Sequence, residues 1–236
     1  INFMFSKFEK KKGNLKKELQ FLKIAHQLCF NSNKSYNIQS DFYYKNIISN
    51  NFNKINFQGD FTKIENFNEL NHVFIIGLPR SGSSLIETII AHNTKKSVSV
   101  GEFHAINNSI LEQIGSNIYS KNFTLEDYKL SLNKEKFQDS IFNRYDNFAK
   151  KCYLDKSLEN FFNIELILTF FPNAKFIHTY RNINDSIIGI YQTMLAELSW
   201  SHQITDIKNY VKIYKNVINY FKEKYPNKII DVELSN

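Results

Sequence analysis

The sequence predicts an α/β fold, a three-layer parallel sheet carrying a P-loop-like phosphate loop and preceded by a short helical segment. Three observations lead there. The apolar run Val73–Ile76 is broken by Gly77, continues as the small-residue loop Leu78–Ser84, and gives way to Leu85, Ile86, Ile89 and Ile90 at helical spacing. From residue 72 onward, strand-like and helix-like stretches alternate, the pattern of parallel strands joined by helical crossovers. Finally, Arg80, Glu102, Lys156 and Arg181 each follow a strand-like run. Carboxyl ends of parallel strands share one edge of the sheet, so these four side chains belong to one site.

The elements follow in order. Residues 1–35 read as helical: Gly13-Asn14 makes a turn, and Leu15, Leu19, Leu22, Ala25 and Leu28 recur every three or four residues. Helix, Gly-Asn turn and helix resemble the end of a tetratricopeptide (TPR) array. A short helix is expected around Asp41–Ile48, and 50–71 reads as a connecting segment. The domain reading is therefore 1–70 as a helical N-terminal segment plus linker, and 71–236 as the second domain. Within it, strands are expected at 73–76, 97–100, 152–155, 174–180 and 228–232. Helices are expected at 83–92, 104–114, 124–150, 158–171, from a cap at Asn184 or Asp185 to about Leu198, and along Tyr210, Tyr214, Val217, Ile218 and Phe221.

A chain of 236 residues, 42% hydrophobic and 22% charged, buries a full core. The abundance of Phe (22) and Tyr (13) against 7 Gly and 3 Pro reads as a compositional bias of the source genome. The net charge of +7 suits an anionic ligand without choosing among anions. Cys29 and Cys152 read as two buried thiols, and no Cys/His cluster has zinc spacing, so no metal is expected. No apolar run reaches the ~18 residues of a membrane span, and no signal peptide is visible. The expected setting is cytoplasmic, with neither a membrane nor a nucleic-acid partner.

The loop itself carries the chemistry. Gly77, four residues, Gly82 and a hydroxyl pair give the P-loop outline, but Ser83 stands where a nucleotide triphosphatase has its phosphate-binding lysine. Arg80 supplies the positive charge instead. Backbone N–H groups and the positive end of the following helix still favour an anion, while triphosphate hydrolysis is disfavoured.

Phe74–Leu85 resembles the 5′-phosphosulfate-binding loop of sulfotransferases that use 3′-phosphoadenosine 5′-phosphosulfate (PAPS). The likeness is to the bacterial group with N-terminal TPR repeats, related to tyrosylprotein sulfotransferases. Leu154-Asp-Lys-Ser-Leu-Glu-Asn-Phe161 is similar to that group's Asp-Lys-x-Pro-x-Asn-Phe stretch, with Leu158 in place of the proline. Phe171–Asn182 is similar to its Phe-Pro-x-Ala-strand-Arg segment. The resemblance implies sulfuryl transfer from PAPS to a hydroxyl acceptor, a peptide tyrosine, carbohydrate or small molecule. It assigns the leaving phosphate to Arg80, Ser81, Gly82, Ser83 and Ser84, a catalytic cation to Lys156, and the base to Glu102, with His104 as the alternative base. It assigns the 3′-phosphate to Arg181 and the position eight residues on, where the family's serine is Gly189 here. Leu234-Ser235-Asn236 replaces the family's Tyr-Glu-Asp, so the second domain reads as C-terminally truncated.

Each residue has a plainer reading: an ion pair with Asp155 for Lys156, a helix N-cap for Glu102, and a structural ion pair for Arg181. Two other function classes compete. A P-loop small-molecule kinase would use Tyr153-Leu154-Asp155 as a Walker B strand tip, and a non-catalytic helical-repeat interaction module would carry a degenerate transferase domain.

Overall fold

A computed structural model describes residues 1–54, 56–58, 72–93, 97–118, 131–145 and 152–234 of the chain. Helices α1 (Asn2–Lys11) and α2 (Leu15–Ser32) form the N-terminal hairpin, and Asn14 caps α2 by accepting the Lys17 N–H at 3.3 Å. The short helix expected at Asp41–Ile48 is longer and of two kinds. α3 (Lys34–Phe42) runs on into π-helical Tyr43–Ile48 and a last turn, α4 (Ser49–Asn51). Tyr43, Ile47 and Ile48 of that π segment are buried in the core.

A short parallel pair, β1 (Asn56–Gln58) with β4 (Ser131–Asn133), stands apart from the main sheet. The main sheet has β2 (Val73–Gly77), β3 (Ser97–Gly101), β5 (Cys152–Asp155), β6 (Lys175–Tyr180) and β7 (Ile229–Glu233), in the order β3-β5-β2-β6-β7. Every pairing in it is parallel. Between the strands run α5 (Ser83–Asn93), α6 (Ala105–Ile118), α7 (Lys134–Tyr145), α8 (Ile164–Phe170), α9 (Ile183–Thr193) and α10 (Ile204–Lys224). The step from β2 to β3 goes one way along the sheet, and the steps from β3 through β7 go the other. Right-handed crossovers then put α5 on one face and the return connections on the opposite face. Burial agrees: Phe74, Ile75 and Ile76 alternate faces of β2, yet each is at most 1% exposed. The reversal of winding at β2 is the place where open α/β sheets take ligands, outside the carboxyl ends of the strands.

Several boundaries move. Residues 158–171 are not one helix: a 3-10 segment, Leu158–Asn163, precedes α8. The cap of α9 is Asn182 rather than Asn184 or Asp185, its side chain accepting both of those N–H groups. That helix ends at Thr193, where Met194 turns left-handed (φ +59°). Of the helix expected at 124–150, α7 is the described part, and 124–130 and 146–150 lie outside the described residues. The two buried thiols expected at Cys29 and Cys152 are each only partly buried, and neither is in a disulfide.

The face read from Tyr210, Tyr214, Val217, Ile218 and Phe221 is buried as expected. Trp200 stacks on Tyr210 at 3.7 Å in the same cluster. The N-terminal hairpin docks on α9. Lys10 and Glu18 both bond Gln192, at 2.6 and 2.8 Å, and His26 bonds the Tyr191 carbonyl at 2.8 Å. Among the described residues no helix is long and apolar enough to cross a membrane.

Candidate active site

The phosphate-type loop begins at Gly77, the last residue of β2. Its φ is +149°, and a Cβ there would lie 2.4 Å from the Thr179 carbonyl oxygen on β6, so only glycine lets the two strands approach. Arg80 adopts a left-handed backbone (φ +67°) without being glycine, a conformation that costs about 1–2 kcal/mol. Ser81 is buried, and its hydroxyl is tied to Thr179 Oγ1 at 2.8 Å, which fixes the loop to β6. Ser83 and Ser84 open α5, whose first turn holds no acidic residue. The start of this helix therefore keeps its full positive character toward an anion. Leu234, following β7, lies over Gly82. Its N–H bonds the Tyr180 carbonyl at 2.9 Å, and a Cβ on Gly82 would meet its side chain at 2.5 Å.

The register places Lys156 and Arg181 on opposite flanks of this loop. Asp155 of β5 pairs with Phe74, and Thr179 of β6 pairs with Gly77. Lys156 follows β5, its backbone N–H held by the Gly101 carbonyl at 2.8 Å. Its Nζ lies 2.6 Å from Glu102 Oε1 and 3.8 Å from Glu87 Oε2. The plain reading of Lys156 as a surface ion pair gives way: its side chain is 9% exposed, while Glu102 remains 56% exposed. Glu87, on α5, is itself fixed by the Ser99 hydroxyl at 2.5 Å. Thus a buried ammonium sits between two carboxylates, one of them open to solvent.

His104 stands beside this group with a left-handed backbone (φ +52°). Its N–H bonds the buried Ser157 hydroxyl at 2.7 Å, and its Nδ1 pairs with Glu159. That carboxylate raises the His104 pKa against a smaller opposing effect of burial. A histidine held toward its charged form has both ring nitrogens protonated and no lone pair to take a further proton.

On the other flank, Arg181 directly follows β6 and pairs with Asp185 at 3.5 Å across the first turn of α9. Ser186 is buried, its hydroxyl bonded to the Asn182 carbonyl at 3.3 Å. Gly189 faces Arg80: a Cβ there would lie 3.3 Å from Arg80 Cβ and 3.5 Å from its Cγ. The stem of Arg80 thus lies where the family's serine side chain would project.

The sequence profile of the sulfotransferase family matches residues 72–234, from the start of β2 to Leu234. This chain belongs to the sulfotransferase family. It is also 24% identical over 176 residues to an uncharacterized protein of Aquifex aeolicus (strain VF5). That alignment takes in 68% of this chain and 22% of the relative, so the chain spans about a fifth of that protein's length.

In this member of the sulfotransferase family the loops after β2, β3, β5 and β6 leave the same edge of the parallel sheet, and three residues beside them escaped the sequence reading. Glu87 is the only acidic residue of α5, and its place four residues after Ser83 was the available signal. Thr179 precedes Arg181 on an expected strand, but its tie to Ser81 needs the β2–β6 register. Leu234 gave no signal, since its contact depends on where β7 ends. Among the described residues no group of three or more His, Cys, Asp or Glu side chains is placed to hold a metal ion.

Proposed function

We propose that this sulfotransferase uses PAPS as sulfuryl donor and a hydroxyl-bearing acceptor, a peptide, carbohydrate or small molecule. The observation that carries the reading is the lysine-free loop with Arg80 at its tip, flanked by buried Lys156 paired with exposed Glu102 and by Arg181. The residues fit the donor. A cradle that excludes a Cβ at Gly77 and an unopposed helix start at Ser83 suit its 5′-phosphate, and Arg181 at the head of α9 suits its 3′-phosphate. Bound PAPS would supply an activated sulfuryl group on a phosphate leaving group.

The chain's own residues then divide the work. Arg80, with the backbone N–H groups of 81–84, holds the leaving phosphate and stabilises the charge it gains. Lys156 Nζ, held by Glu102 and Glu87, is the cation for the oxygen between phosphate and sulfuryl group. Glu102, the more exposed carboxylate, accepts the acceptor hydroxyl's proton. Glu102 is held by Lys156 at 2.6 Å, so it would serve as base once that lysine turned to a bound donor. The reaction resembles phosphoryl transfer, in which positioning and electrostatics supply most of the acceleration. Gly189 leaves Arg181 without the serine expected beside it, and Ser186 is the hydroxyl nearest in sequence on α9.

Calorimetry and thermal shift with adenosine 3′,5′-bisphosphate test the reading. We expect stabilisation without magnesium and little effect of ATP. A magnesium-dependent response to ATP alone would overturn it in favour of a P-loop kinase. An acceptor screen with radiolabelled PAPS then separates an active transferase from an interaction module.

A further inference from the structure

A second group of titratable side chains lies away from the loop, where the N-terminal hairpin meets the catalytic domain. His26 of α2 and His202, just after the 3-10 turn Ser199–Ser201, are 1% and 4% exposed. Their Nδ1 atoms face each other at 3.1 Å. The Nε2 of His26 lies 2.8 Å from the Tyr191 carbonyl oxygen, and its ring stacks on Tyr191 at 4.2 Å. A carbonyl only accepts, so His26 carries its proton on Nε2 and its Nδ1 is an acceptor. The facing Nδ1 of His202 must then be the donor. That tautomer leaves His202 Nε2 a bare acceptor, in keeping with its lack of a well-formed hydrogen bond. One neutral arrangement therefore satisfies the pair.

We propose that His26 and His202 form an acid-sensitive latch, which holds the hairpin on α9 only while both imidazoles are neutral. A proton added to His26 Nδ1 points at the N–H of His202. The clash is relieved only if His202 moves its own proton to Nε2, a buried position with no well-formed hydrogen bond. A second proton makes all four ring nitrogens donors, and the contact cannot close. Both pKa values already lie below the ordinary 6.5, chiefly through burial. The Tyr191 carbonyl for His26 and the Ala196 carbonyl for His202 offset this in part, and among the described residues no acid does. Lys23 lies beside His26 on α2, α9 presents the Tyr191 phenol, and α10 begins with uncharged Ile204 and Thr205. Asp206, next on α10, is paired with Lys45 at 2.9 Å. A groove of about 620 Å³ over the pair gives protons a route in. The latch acts on the helix that bears Gly189 against Arg80, although it does not depend on which anion the loop takes.

Trp200, the chain's single tryptophan, lies two residues before His202 and is 2% exposed, so its emission reports the latch. On acidification we expect a red shift with a midpoint below pH 6.5. Protection factors of amides in α1 and α2, observed rates taken relative to the intrinsic rate at each pH, should fall about tenfold per pH unit below the transition for one proton taken up. His202→Asn, which keeps an N–H for His26 but cannot titrate, should move the midpoint down by half a unit or more. Should that variant not fold, imidazole nitrogen shifts of the wild-type protein at pH 8 decide: His26 as the Nε2–H tautomer and His202 as Nδ1–H. An unchanged transition in His202→Asn, the reverse tautomers, or titration of both rings near 6.5 with constant Trp200 emission would each overturn the proposal.

Discussion

Replacing Lys156 by alanine tests the core of the site, because the structure separates its expected effect on turnover from that on stability. The side chain is 9% exposed and lies 2.6 Å from Glu102 and 3.8 Å from Glu87. Breaking a fully buried ion pair costs about 3–5 kcal/mol, since a charge is left uncompensated. Here Glu102 is 56% exposed and rehydrates, so most of the penalty falls on Glu87, which is 16% exposed and keeps the Ser99 hydroxyl. We therefore expect a loss of about 1–3 kcal/mol, or a drop in Tm of roughly 2–12 °C for a chain of this size. Turnover should fall further, by ~10²–10³, the loss typical of one transition-state donor. Adding Glu87→Gln in the Lys156→Ala background should restore much of the stability and none of the activity. Urea melts and single-turnover assays with radiolabelled PAPS measure the two effects. Retention of kcat within threefold in Lys156→Ala would refute the role given to this lysine. Recovery of kcat along with stability in the double variant would make its contribution structural.

Four further outcomes follow from other residues. Glu102→Gln should abolish transfer while changing the affinity for adenosine 3′,5′-bisphosphate less than threefold, and calorimetry showing loss of both would mark Glu102 as structural. Gly189→Ser would place its Cβ 3.3 Å from Arg80 Cβ, so we expect it to lower kcat through displaced Arg80 rather than to improve donor binding. A tighter Kd without loss of rate would contradict that. Asn182→Ala removes the cap of α9 and should cost about 1 kcal/mol in urea melts. Burial holds the His72 pKa at about 4 against 6.5 in the unfolded chain. Its contribution is thus complete above pH 6.5 and declines as the pH falls toward 4, by about 2 kcal/mol between pH 6.5 and 5 for one proton. His72→Gln should flatten that part of the stability profile, and an unaltered profile would place the acid sensitivity elsewhere.

What could be read from the sequence divides along the range of the interactions. Val73–Ile76, Gly77 and the helical spacing after Ser83 are local signals, and each element formed where expected. Arg181 at the end of β6 and Lys156 after β5 followed from strand patterns alone. Contacts set by register were hidden. Glu87 reaches Lys156 only because α5 packs against β3, and Gly189 meets Arg80 only because α9 lies beside the loop. His26 and His202 are 176 residues apart, and no periodicity marks them as partners. The cap of α9 lies two or three residues before the expected one because Asn182, Asn184 and Asp185 are all good capping types, and the end of β6 decides among them.

At Arg80, heat resistance and turnover call for different residues. A backbone at φ +67° is comfortable for glycine and tolerable for asparagine, and arginine occupies it at a penalty. Libraries randomised at this position and sorted only for heat resistance should return glycine. The same libraries sorted for turnover should return arginine. Thermostabilising campaigns guided by melting temperature alone would then disarm the enzyme at this codon first, while every indicator of folding quality improved.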